Sequence, residues 1–322
     1  MKEFNKRKSL LALVVIILIV ALLLIGCPTK TFAERERLVV EFIDVGQGDA
    51  TLISLPDGKT MLIDTGENPK SKDNIVIERI KKYTSTIDYL VLTHPDNAHI
   101  SNMVNLFDEL TIKKAYLPKI LNPSLFSTFS DIYNQLIERN IPTEINQMYL
   151  NLSTDEYTLL FLSPILKGEN SSYSIFNSSS MPTGDMIDNL SPIIFLEYKG
   201  VRFIFSGDAD KTQEQIVLEQ NYNNFYSMRA KREINLSDVD FYKLSSHGND
   251  KGNSMEFLSL LKPKNAVISV GGINNENCPS IFTLKRLQDA NFEHNLFRTD
   301  VDRTIVVEVN VFGKYEVKRG IR

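Results

Sequence analysis

Four short segments hold the residue types that bind or activate a metal ion: Asp64-Thr65-Gly66, Thr93-His94-Pro95-Asp96-Asn97-Ala98-His99, Ser206-Gly207-Asp208 and Ser245-Ser246-His247-Gly248. Three of the chain's four histidines lie in them. Imidazole offers neutral nitrogen donors and carboxylate offers anionic oxygens, which together close the small coordination sphere of a zinc- or manganese-type ion. A single such segment is an ordinary hydrogen-bonding loop; four of them point to a shared site. Gly46-Gln47-Gly48-Asp49 has a superficial likeness to a phosphate loop but lacks the Gly-Lys-Ser/Thr ending that grips a nucleotide. The basic run Arg229-Ala230-Lys231-Arg232 fits a solvated loop. His294, before a strand and far from any motif, fits a surface or packing position.

The elements around these segments must bring them to one edge. From Leu38 the chain alternates short β-rich runs with amphipathic helices. Strands are expected at Leu38 to Ile43, Ala50 to Leu55 and Met61 to Ile63, the last two joined across Pro56-Asp57-Gly58-Lys59. A helix over 74–83 leads to a strand at Tyr89 to Thr93, and another helix is expected over Ser127 to Arg139. The second half repeats the style. A strand pair, Ile193 to Tyr198 and Val201 to Ser206, turns at Lys199-Gly200, and helices follow over Lys211 to Asn221, Ser254 to Leu261 and Ile281 to Ala290. Strands at Phe241 to Leu244 and Ala266 to Val270 flank the middle one. Residues 167–190 are rich in Gly, Ser, Asn and Asp and form a long loop, of the kind that is functional or mobile more often than a domain linker. The simplest architecture is one α/β domain of two similar halves, spanning 38–322.

Phe42-Ile43-Asp44-Val45-Gly46-Gln47-Gly48-Asp49-Ala50, Leu62-Ile63-Asp64-Thr65-Gly66, Leu92-Thr93-His94-Pro95, Ser206-Gly207-Asp208-Ala209 and His247-Gly248 occur in the order found in the metallo-β-lactamase superfamily. Within it they most resemble the ComEC-type group, named for the hydrolase domain of a DNA-uptake competence protein. The resemblance covers essentially the whole body of the chain. It implies an αββα sandwich with a site at one edge, between two sheets. There a metal-activated water would attack an ester, amide or phosphodiester, since a bound metal lowers the pKa of water to about 7 and polarises the electrophile. Carried over by residue, His94 would ligate a first metal and His99 a second, Asp208 would bridge them, His247 would complete the site, and Asp64 would orient a ligand from behind. Asp96 stands where the family's His-X-His-X-Asp-His motif has its middle histidine and still offers an oxygen donor. Ala98 stands where that motif has its aspartate, and a methyl group neither ligates a metal nor accepts a proton. Zinc is therefore the expected ion, with manganese as the alternative, and one ion or none rather than a full pair. Two later positions also depart: Ser246 precedes His247 where the group has a histidine pair, and Cys278 stands near a histidine position, either as a soft ligand or as a buried inert thiol.

The N-terminus reads as an export or anchoring signal. Lys2, Lys6, Arg7 and Lys8 precede an unbroken apolar run from Leu10 to Ile25, and Leu24-Ile25-Gly26-Cys27 resembles the bacterial lipobox. Residues 1–26 are then a signal peptide or membrane anchor, and 27–37 a linker with Cys27 as the lipidation site. An uncleaved transmembrane anchor stays open, because 16 apolar residues fall slightly short of the roughly 20 that span a bilayer as a helix. Either form places the body on the extracytoplasmic face of the cell membrane.

With 43% hydrophobic and 24% charged residues and only two cysteines among 322, the chain is neither disordered, nor a disulfide scaffold, nor a multi-pass membrane protein. Its net charge of −4 hides a basic start; after residue 26 the body holds 32 bases against 39 acids. That acidity and the lack of a basic stripe interleaved with aromatics argue against tight nucleic-acid binding, so nucleic acid is only an alternative substrate beside a small molecule or phosphodiester. Two functions are expected to compete: an active hydrolase, and a pseudoenzyme that keeps the sandwich as a surface binding module, motivated by Ala98.

Overall fold

The computed structural model describes residues 36–69, 73–165, 183–220, 226–227, 232–272, 274, 277–290 and 296–321. The N-terminal signal or anchor, Cys27, His294, Arg229 to Lys231 and most of the 167–190 loop lie outside them. Among the described residues no helix is long and apolar enough to cross a membrane.

Two sheets form the centre. One has eight strands in the order Tyr315–Ile321, Thr304–Val309, Leu38–Phe42, Thr51–Ser54, Thr60–Ile63, Tyr89–Val91, Ala115–Leu117 and Thr143–Ile145. The other has six, in the order Leu296–Arg298, Asn265–Ile268, Phe241–Lys243, Val201–Phe205, Ile194–Tyr198 and Tyr157–Phe161. Each joins an antiparallel half to a parallel half. Two-residue hairpins suffice for the antiparallel half, as at Lys199-Gly200, where both residues take positive φ (51° and 83°) and so match the strand twist. Parallel neighbours need crossovers, and the helices supply them.

Side chains alternate along the strands, so each sheet has two apolar faces to cover. The inner faces pack together through Val40, Phe42, Phe161, Phe203, Phe205 and Phe241 among others. The outer face of the larger sheet is covered by the helices Ile75–Lys81, Met103–Glu109 and Ser127–Glu138. That of the smaller sheet is covered by Met255–Leu261 and Ile281–Asp289, with Lys211–Gln220 packed alongside. The result is an αββα sandwich. Helix Met103–Glu109 and the strands Ala115–Leu117, Thr143–Ile145 and Tyr157–Phe161 are additions to the sequence reading. Within the long loop, Gly184–Asp188 is helical.

A buried ion pair ties helix to sheet on the larger side. Arg79 donates from Nε and Nη2 to both oxygens of Glu41, at 2.6 and 2.7 Å, and Tyr83 donates its hydroxyl to the same carboxylate.

Candidate metal centre

The parallel half of each sheet ends at the same edge, and the chemistry-bearing loops leave the strands there. This is the edge of an α/β sheet where ligands generally bind. Asp64 follows Thr60–Ile63, His94 follows Tyr89–Val91, and His99 rides on the short helix Asn97–Ile100. Asp208 follows Val201–Phe205, and His247 follows Phe241–Lys243. Asp49 reaches the same edge from the turn before Thr51–Ser54, because Thr51 pairs with Ile63 in the antiparallel register.

Backbone conformations of low population hold several of these groups. Asp64, Ser246 and His247 have φ of 58°, 47° and 54°, a region that costs a residue with a Cβ about 1 kcal/mol or more. Gly48 has a different task. A Cβ placed on it would lie 2.2 Å from the Ala98 carbonyl oxygen, so only glycine lets the Gly46–Gly48 turn press against the segment that carries His99. The Asp49 amide then donates to that same carbonyl at 3.3 Å.

The three imidazoles surround one carboxylate. His99 Nε2 lies 3.4 Å from Asp208 Oδ1, while His94 Nε2 and His247 Nε2 lie 3.9 and 3.8 Å from Asp208 Oδ2. In each ring the other nitrogen is engaged from behind. His99 Nδ1 donates to Asp64 Oδ2 at 2.8 Å. His247 Nδ1 donates to the Ser269 carbonyl at 2.9 Å. His94 Nδ1 is 3.0 Å from Thr93 Oγ1, which itself donates to Asp64 Oδ2 at 2.7 Å and so has a lone pair left for the imidazole N–H. These partners place a proton on Nδ1 of His99 and His247, while His94 Nδ1 also lies 3.2 Å from Ser191 Oγ, and the three Nε2 atoms converge on Asp208, an arrangement that orients metal-binding histidines.

The donor set fits a metal ion. His99 Nε2, Asp208 Oδ1 and Asp49 Oδ1 are buried polar atoms with no hydrogen-bond partner, which is costly unless something else satisfies them. His94, His99 and Asp208 offer ligand atoms within 4.8 Å of one another, as do Asp49, Asp208 and His247, and Asp49, Asp64 and His99. Burial and the neighbouring His99 push the His94 imidazole down to about 4, so it stays a neutral donor at pH 7. For His99 burial acts in the same direction but is outweighed by the carboxylates of Asp208 and Asp64, which hold it well above the usual imidazole range. Burial would raise Asp208, but His99 and His247 hold it well below the usual carboxylate range.

Of the residues singled out in the sequence, His94, His99, Asp208 and His247 are brought together, with Asp64 behind them. Asp96 is not brought to the cluster. Its exposed carboxylate accepts from the Ala98 amide at 2.9 Å and caps the helix Asn97–Ile100, a competing use that pulls it away from the imidazoles. Beyond it lies a groove of 280 Å³ lined by Pro95, Asp96, Asn97, Phe126, Ser127 and Ile187 among others. Ser246 Oγ donates to the Asp208 carbonyl at 3.0 Å, fixing that backbone rather than reaching an ion. Cys278 is buried, with Sγ 3.9 Å from the Ser246 carbonyl oxygen and outside the three ligand groups.

Two members went unnoticed in the sequence. Asp49 is 3% exposed, with Oδ1 3.7 Å from His247 Nδ1. Lys243, 2% exposed at the end of an apolar strand, ion-pairs with Asp49 Oδ2 and lies 3.3 Å from the Gly207 carbonyl.

Comparison with known proteins agrees with this geometry. The profile of the metallo-beta-lactamase superfamily matches residues 43–146, which hold Asp49, Asp64, His94 and His99. The chain is also 26% identical over 284 residues, 83% of its length, to ComE operon protein 3 of Bacillus subtilis (strain 168), covering 32% of that protein. Residues 43–146 carry a metallo-β-lactamase domain. The match to ComE operon protein 3 supports homology to the ComEC-like group. Recombination protein 2 of Haemophilus influenzae is a further relative, 25% identical over 280 residues, which are 85% of this chain and 29% of that one. The chain thus spans about a third of the length of the curated relatives it matches. Among solved structures, CmlA, a diiron β-hydroxylase from Streptomyces venezuelae, superposes with a TM-score of 0.51 at 13% identity over 81% of this chain and 53% of that one, a likeness of fold alone. A metallo-β-lactamase fold with these donors is a metal-binding fold of a hydrolase family.

Proposed function

We propose that the chain is an extracytoplasmic hydrolase, held at the membrane by its N-terminal segment or by lipid on Cys27, that cleaves an ester, amide or phosphodiester. The convergence of three imidazole Nε2 atoms on the Asp208 carboxylate carries this reading. His94, His99, His247 and Asp208 would hold a zinc ion, or manganese in its place. Such an ion supplies a nucleophile at neutral pH and polarises the substrate. Asp64 keeps His99 in the Nδ1–H orientation and, through Thr93 Oγ1, helps to position the His94 ring. Asp208, at 8%, is the most exposed of these ligands, and the groove beside Asp96 is lined by residues of the segment that carries His94 and His99. Single-stranded DNA remains an alternative substrate, and the acidic body weighs against it.

The test is turnover of bis-p-nitrophenyl phosphate, a p-nitrophenyl ester and a chromogenic amide by the full chain purified in detergent after zinc- or manganese-supplemented expression. Hydrolysis of one probe that is lost in His94→Ala and in Asp208→Ala is expected. Ala98 favours a second reading, a binding module that retains the ion. An ion bound at stoichiometry with no turnover of any probe would support that reading and overturn the first.

A further inference from the structure

Ala98 removes a carboxylate, yet the site beside it is not short of charge. Three carboxylates, Asp49, Asp64 and Asp208, lie within it, all more than nine-tenths buried. Asp96 does not add to them, because its carboxylate is exposed and caps a helix. Lysine is almost never fully buried unless paired, and Lys243 is brought into this interior against Asp49. Asp49 presents one oxygen to the ammonium and leaves the other, Oδ1, buried and unpartnered toward His247.

We propose that the Lys243 ammonium, held by Asp49, stands in for a second metal ion and limits the site to one. The inference rests on the metal-binding reading above and adds how many ions the site takes and which side chain sets that number. Three facts support it. First, His94 and His99, the two imidazoles of the motif, share one group of ligand spacing with Asp208 and so fit a single ion together instead of dividing between two. Second, both remaining clusters with ligand spacing, Asp49 with Asp208 and His247 and Asp49 with Asp64 and His99, share Asp49, which already has a fixed cation on it. Third, the charges balance. Three buried carboxylates are matched by one divalent ion plus one ammonium, whereas two divalent ions plus the ammonium would leave a buried excess of two positive charges, which a low-dielectric interior opposes. Lys243 does not touch the reacting atoms in this account; it is a positioning residue that acts on ion number and affinity.

Native mass spectrometry and equilibrium dialysis of the full chain in detergent, with zinc and with manganese, test the inference. The wild type is expected to hold one ion. Lys243→Met, which removes the charge and keeps the stem, is expected to bind that ion at least about tenfold more tightly. Ala98→Asp in the Lys243→Met background is expected to hold two ions, whereas Ala98→Asp alone is expected to hold one. Asp49→Asn, which leaves the ammonium unpaired, is expected to weaken binding at least about tenfold. Two ions in the wild type, or a folded Lys243→Met with wild-type affinity and stoichiometry, overturns the inference and leaves the hydrolase reading standing. No ion in the wild type overturns the metal-binding reading and this inference together. Circular dichroism checks that each variant folds, and if Lys243→Met does not, Lys243→Gln replaces it while the wild-type ion count remains decisive.

Discussion

At the scale of single residues, the site depends on groups that would not touch the ion. Asp64 accepts from the Thr93 amide and hydroxyl and from His99 Nδ1, and so aligns two imidazoles at once. An asparagine must turn its NH2 either onto the Thr93 amide or onto the Thr93 hydroxyl and His99 Nδ1, so no orientation of it accepts all three hydrogen bonds. Asp64→Asn is therefore expected to weaken zinc binding by about 10–100-fold, read by competition with a chelating dye. Unchanged affinity would remove Asp64 from this role. The histidines and Asp208 were legible from residue type and from the motif they resemble. Asp49 was visible but set aside with the glycines around it, because nothing in a turn sequence shows which way a carboxylate points. Lys243 had a signal that was passed over: a lone cation inside the apolar run Phe241-Tyr242-Lys243-Leu244 must either reach solvent or find an anion. Asp96 misled in the opposite way. Its position in the motif offers a ligand, but the start of helix Asn97–Ile100 offers it backbone amides.

At the scale of elements, the turn Gly46–Gly48 and the helix Asn97–Ile100 are a matched pair. Gly48→Ala would push its methyl into the Ala98 carbonyl, and the collision cannot be relieved without moving the segment that bears His99. Destabilisation of about 2–3 kcal/mol in urea unfolding, with loss of tight zinc binding, is the expected outcome. The Glu41–Arg79 pair joins a helix to the outer face of the larger sheet. Arg79→Met leaves Glu41 buried without its counter-charge and is expected to cost about 3–5 kcal/mol, whereas the double variant Glu41→Met/Arg79→Met recovers most of that loss. A neutral single variant would show that the pair contributes no net stability. The strands and helices with strong apolar periodicity were readable in advance. The short parallel strands Ala115–Leu117 and Thr143–Ile145 were not, because three residues show no period. Helix Met103–Glu109 also escaped, since it follows the four-residue helix Asn97–Ile100 after only two intervening residues, which hides where it starts.

At the scale of the whole molecule, the sandwich closes around a pocket in which the three buried carboxylates outnumber the positive charges of the Lys243 ammonium and the His99 imidazole. Without an ion the folded state holds more buried negative charge than positive, so ion binding adds to fold stability. The chelator-stripped protein is expected to melt about 5 °C below the protein with zinc at a hundredfold excess over its dissociation constant, measured by scanning fluorimetry. Coincident melting curves would argue against a site within the folded core. Asp96 matters at this scale too, in the kinetics of approach. Its carboxylate stands at the lip of the groove on a body with more acids than bases, so an anionic substrate meets repulsion before it meets any attraction. The encounter rate with a charged phosphodiester should therefore rise as salt is increased from about 20 to 200 mM, the reverse of what a polyanion-binding surface shows, and Asp96→Asn should flatten that rise.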